Sequence, residues 1–75
     1  MNQHTPAQET TETLVRAVMK DTDGVWVTID EILSELPVYR TRQAVRPKVK
    51  KLVEQGLVEA RERSGRRIEY TWKQA

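Results

Sequence analysis

At Gly56 the hydrophobic period of the chain changes, and that switch limits the fold more than any other feature. Before it, Val45, Val49, Leu52 and Val53 recur at helical spacing. After it, Leu57-Val58-Glu59-Ala60-Arg61-Glu62 and Arg67-Ile68-Glu69-Tyr70-Thr71-Trp72 alternate with the period of a strand. That alternation predicts inward faces for Val58 and Ala60 on the first strand and for Ile68, Tyr70 and Trp72 on the second. Arg63-Ser64-Gly65-Arg66 lies between the strands and contains the glycine a tight hairpin turn requires. A helix ending at a left-handed glycine cap therefore runs directly into an antiparallel hairpin.

Upstream, Thr5-Pro6-Ala7-Gln8 reads as a helix start, with a Thr cap, Pro at the first helical position and Gln closing a capping box. Ala7, Thr11, Leu14, Val15, Val18 and Met19 continue at helical spacing to a stop at Asp23-Gly24, which predicts a first helix from about Pro6 to Lys20. Val25-Trp26-Val27-Thr28 is short and β-branched, a brief strand. Thr28-Ile29-Asp30-Glu31 is a second capping box, and Ile29, Ile32, Leu33 and Leu36 carry a second helix to Pro37. Thr41 is the expected cap of the third helix. Residues 1–5 are expected to be a flexible tail, with His4 solvated, and residues 6–75 a single domain. No internal repeat or low-complexity stretch interrupts this order.

Charge is divided unevenly. Residues 1–39 hold two basic and seven acidic side chains, a net −5, whereas residues 40–75 hold eleven basic and four acidic, a net +7. Such asymmetry points to a polyanionic partner. On the third helix Arg42, Arg46 and Lys50 stand at i, i+4 and i+8 with no acid on that line. Gln43, Lys48 and Lys51 share the polar arc, so like charges repel where mixed signs would stabilise. Arg61, Arg63, Arg66 and Arg67 crowd the hairpin tip.

The order helix, short strand, helix, helix, strand, basic turn, strand resembles a winged helix-turn-helix domain, an α+β fold, over about Pro6 to Lys73. The motif that carries the likeness is Thr41-x-x-x-Val45 followed by Leu52-Val53-Glu54-Gln55-Gly56-Leu57-Val58-Glu59, similar to the family's recognition helix running into its first wing strand. The Gly65 turn followed by Ile68, Tyr70 and Trp72 is similar to the wing. The resemblance implies that helix 3, about 41–55, enters the major groove of double-stranded DNA and that the 61–67 wing lies on the backbone or in the minor groove. It makes Thr41, Arg42, Gln43, Arg46, Lys48, Lys50 and Lys51 the contact set on the helix. Arg42, Gln43 and Arg46 are suited to base edges and the lysines to phosphates. On the wing the set is Arg61, Arg63, Arg66 and Arg67, since arginine suits a narrow minor groove or a phosphate.

Pro47 departs from that pattern, because inside a helix it removes the bond to Gln43. Two readings stay open: a helix that begins near Arg46 with Pro47 at its first position, or one that runs from Thr41 with a kink.

The expected function is sequence-specific DNA binding in transcription regulation, with a homodimer through helix 1. The alternatives are a winged-helix protein-interaction module and a DNA binder that reads shape without sequence. Tyr70 and Trp72 are expected in the core, and Trp26 is a candidate for an exposed partner surface. Asp30 and Glu31 suit a helix N-terminus. With no cysteine, one tail histidine and no Gly-rich phosphate loop, no enzyme activity, cofactor, metal or small-molecule ligand is expected. A chain of this length buries only about 60% of its unfolded surface, which leaves little material for an enclosed site. No apolar run approaches the ~20 residues of a membrane span, and the polar N-terminus does not resemble a secretory signal. A cytoplasmic, nucleoid-associated location follows as the expectation.

Overall fold

The computed structural model describes residues 10–63, 65 and 67–73. Three helices precede a two-stranded antiparallel hairpin: α1 (Thr11–Lys20), α2 (Ile29–Glu35), α3 (Arg42–Glu54), β1 (Val58–Glu62) and β2 (Ile68–Trp72). This is an α+β fold with the winged-helix topology. Among the described residues, no helix is long and apolar enough to cross a membrane.

Each helix is opened by a threonine. The Thr10 hydroxyl accepts from the backbone N–H of Thr13, so α1 starts later than Pro6; the predicted cap at Thr5 lies outside the described residues. At α2 the capping box is complete: Thr28 Oγ1 accepts from Glu31 N, and Glu31 Oε1 accepts from Thr28 N at 2.8 Å. At α3, Thr41 Oγ1 accepts from Ala44 N at 3.1 Å. The helix closes in a Schellman turn, with Gly56 N–H donating to Val53 O and Leu57 N–H to Leu52 O, both at 3.0 Å. Gly56 has φ +80°, which a residue with a Cβ adopts only at a cost.

The third helix runs unbroken through Pro47, so the reading in which it begins near Arg46 is incorrect. Pro47 and Gln43 are both exposed, so the helical bond that Pro47 cannot donate is missing on the solvent side of α3. On the other side of the helix Val45, Val49 and Leu52 are completely or almost completely buried and hold it in register.

Those three side chains meet Leu14, Val15 and Met19 of α1, Ile29, Ile32 and Leu36 around α2, and Val58 and Tyr70 of the hairpin in one core. The hairpin register pairs Val58 with Trp72, Ala60 with Tyr70 and Glu62 with Ile68. Tyr70 is buried and Trp72 half-buried against the core, as their alternation predicts. Ala60, opposite the buried Tyr70, and Ile68, at the turn end of β2, are exposed, contrary to expectation, because alternation assigns a side chain to a face of the hairpin and not the neighbours that cover it.

The strand predicted at Val25–Thr28 is reduced to one bridge. Val27 and Tyr70 exchange two backbone hydrogen bonds, at 2.8 and 2.7 Å. The next inward-facing donor on that edge of β2, the Trp72 N–H, is taken by a side chain: Thr22 Oγ1 accepts it at 2.8 Å and donates to Met19 O at 2.7 Å. Beside it, Gly24 N–H donates to Thr71 Oγ1 at 3.1 Å. The α1–α2 loop thus covers a strand edge that would otherwise be open.

Replacing Thr22 with Val keeps the shape and strands the Trp72 N–H in a buried setting. The expected loss is about 1–3 kcal/mol of stability, with Thr22→Ser recovering most of it, measured as the shift in urea midpoint at unchanged m-value. Pro47→Ala restores a helix donor in a continuous helix and should raise stability by roughly 1–3 kcal/mol, read from the same denaturation curves.

Candidate nucleic-acid interface

The polar arc of α3 does not present all its cations to solvent in the same way. Arg42, at the first turn, donates from Nη2 to Asp30 Oδ1 at the start of α2. Lys51, near the last turn, reaches Glu12 of α1 at 3.3 Å. Each of these ties α3 to a neighbouring helix. Gln43, Arg46 and Lys50 are exposed and have no hydrogen-bond or ion-pair partner among the described residues. Lys48 is half-buried, and Thr41 uses its hydroxyl to cap the helix.

The hairpin divides its arginines similarly. Arg61 is held in place: its Nε donates to Glu69 Oε1 at 3.0 Å, its Nη2 lies 2.9 Å from the same oxygen in an ion pair, and its Cζ lies 4.1 Å from the centre of the Trp26 ring. The pairing follows from the register, in which Arg61 and Glu69 are directly opposite. Arg63 and Arg67 are exposed, and their backbones close the hairpin through Arg63 N–H donating to Arg67 O at 2.7 Å. Gly65, at φ +76°, supplies the turn conformation. Arg66 lies outside the described residues.

One cleft of about 660 Å³ joins the two arms. Its walls are Trp26 from the α1–α2 loop, residues 28–31 at the start of α2, Arg42 and Arg46 of α3, and residues 67–70 of the hairpin. Three carboxylates lie in it, and each is occupied: Asp30 by Arg42, Glu31 by the α2 capping box, and Glu69 by Arg61. Two cations in it, Arg46 and Arg67, have no ion-pair partner among the described residues. The cleft lining is balanced in charge, three carboxylates against Arg42, Arg46 and Arg67, and the two arginines that have no carboxylate partner among the described residues come one from each arm.

A second concavity of about 400 Å³ lies over Val18, Val25, Val27 and Ile32, and its charged residues, Asp21, Glu31 and Glu35, are all acidic. The charge division of the sequence thus becomes a spatial one.

Sequence reasoning did not separate Arg61 from its neighbours or assign Trp26. The latent signal was the cross-strand spacing of Arg61 and Glu69 about the Gly65 turn, which places opposite charges opposite one another. Trp26, predicted as a candidate partner surface, is half-buried and lines the cleft. The aromatic side chain that stands clear of the fold is Tyr39, at 84% exposure. No protein-family model matches this chain, and neither a curated protein nor a solved structure matches it.

Proposed function

We propose that this protein binds double-stranded DNA with sequence preference and acts as a transcription regulator, with α3 in the major groove and the hairpin on the backbone or in the minor groove. The observation that carries the reading is the cleft whose carboxylates are all occupied while Arg46 from α3 and Arg67 from the hairpin are not. Unpaired like charges on neighbouring elements raise the energy of the free protein, and an external polyanion relieves it. The winged-helix topology supports the same reading, since it sets a helix and a hairpin side by side.

Within the proposal the roles divide by pairing state. Gln43 and Arg46 are the side chains of α3 best placed to read bases, glutamine for adenine and arginine for guanine. Lys50, Arg63 and Arg67 neutralise phosphates, which supplies affinity and register but no sequence choice. Arg42 reaches DNA only by sharing or leaving Asp30, and Lys51 only by leaving Glu12. Two copies paired through α1 would double the base contacts. The α1 side chains open to such pairing are Thr13, Arg16, Ala17 and Lys20, because Leu14, Val15 and Met19 are already in the core.

The first test is fluorescence anisotropy with a random-sequence duplex from low to moderate salt, followed by selection of preferred sequences. Binding should weaken steeply with salt, and the Lys50→Ala/Arg67→Ala double variant should flatten the log–log slope by about 2, while Lys51→Ala leaves it nearly unchanged. Absence of binding at low salt refutes the reading in favour of a protein partner, and binding with no sequence preference refutes the regulator in favour of a shape reader. Analytical ultracentrifugation addresses the pairing: a dimer is expected at concentrations well above the DNA-binding constant, and a monomer there rules it out.

A further inference from the structure

Trp26 is built as a platform. The Arg61 guanidinium lies over its ring, and Arg61 is in turn fixed by a hydrogen bond and an ion pair to one oxygen of Glu69. Trp26 lines the cleft and Arg61 does not. An indole held this way has little freedom to lose when a second planar group settles on it, which favours stacking. The same cleft holds Arg46 and Arg67, two cations suited to a phosphate, and Glu69, whose second oxygen, Oε2, is left as an acceptor for the N–H groups of a base edge. Its volume of about 660 Å³ falls in the range of small-ligand sites and is far too small for a length of duplex.

We propose that the cleft is a site for a single unstacked nucleotide, its base lying on Trp26 and its phosphate on Arg67 and on Arg46, which there gives up the base edge it meets on paired duplex. Base–aromatic stacking tolerates any base, so this site adds affinity for an unpaired position and not for one sequence. The nucleotide has two sources of the same chemistry: an extrahelical or unpaired residue within bound DNA, or a free mononucleotide. The first rests on the duplex-binding reading; the second does not.

The experiment compares two fluorescein-labelled duplexes of one sequence, one fully paired and one with a single unpaired nucleotide at its centre, and adds adenosine monophosphate as a separate ligand. It is run on the whole chain with Trp72→Phe, so that Trp26 alone reports by fluorescence. The interrupted duplex should bind about tenfold more tightly than the paired one and quench Trp26. Trp26→Leu should abolish that preference while paired-duplex affinity stays within about twofold, and Trp26→Phe should retain most of it. Retention of the preference by the Phe variant supports stacking even if the Leu variant fails to fold. Equal affinity for the two duplexes overturns the nucleotide site and leaves the duplex reading intact. If neither duplex binds at low salt, the duplex reading has failed. The mononucleotide then decides: quenching of Trp26 that Arg46→Ala abolishes supports a free-nucleotide site, and no quenching overturns the site altogether.

Discussion

The fold depends on a single backbone pair. Val27 and Tyr70 exchange hydrogen bonds across elements far apart in sequence, and without them the α1–α2 loop would be hydrogen-bonded to β2 only through the Thr22 and Thr71 side chains. A two-stranded hairpin alone is marginal in water, so its geometry has to be borrowed from a neighbour. Tyr70 lends it twice, by its backbone to Val27 and by a buried ring to the core. Thr22 extends the attachment by one position, turning the Trp72 N–H from a free strand edge into a satisfied donor. The position of the hairpin beside α3, and hence the existence of the cleft, follows from these contacts.

Once the hairpin is fixed, electrostatics sorts the arginines. Arg61 and Arg67 are six positions apart on the same hairpin, yet one is locked between Glu69 and Trp26 and the other faces an open cleft. Arg42 and Arg46 are one helical turn apart, and the same division holds: the first meets Asp30 and the second meets no carboxylate among the described residues. Exposed ion pairs of this kind contribute little to stability, about 0–1 kcal/mol each. Their larger effect is to cancel Asp30 and Glu69, two of the three acids in the cleft, which leaves Arg46 and Arg67 as its cations without a carboxylate partner among the described residues.

Much of this was legible in the residues. Thr28 and Glu31 announce α2, Thr41 and Gly56 bracket α3, and the change of period places both strands of the hairpin, because caps, glycine turns and alternation are local rules that need no knowledge of distant neighbours. What was not legible is tertiary. Alternation gave Ala60 and Ile68 an inward face, but whether a face is buried depends on the neighbours that cover it. The pairing of Arg42 with Asp30 depends on how α2 and α3 cross, and Thr22 looks like a loop residue until β2 is seen to end beside it. Pro47 reads as a helix breaker, since sequence alone cannot show that Val45, Val49 and Leu52 hold the helix from its other side.

Pro47 also bears on how much sequence a single domain of this kind reads. Under the proposed reading, the pairing of Arg42 with Asp30 leaves Gln43 and Arg46 as the α3 side chains free to meet base edges. Two bidentate contacts, at roughly 1–3 kcal/mol of discrimination each, supply about 2–6 kcal/mol, which reaches only the lower part of the ~4–10 kcal/mol that separates specific from non-specific binding. The proline adds neither donor nor acceptor to the same arc, since its ring crowds the Gln43 carbonyl whose helical partner it removes. A regulator on this domain that works in the upper part of that range therefore takes either a second copy on the same site or a structural feature of the DNA to complete its choice.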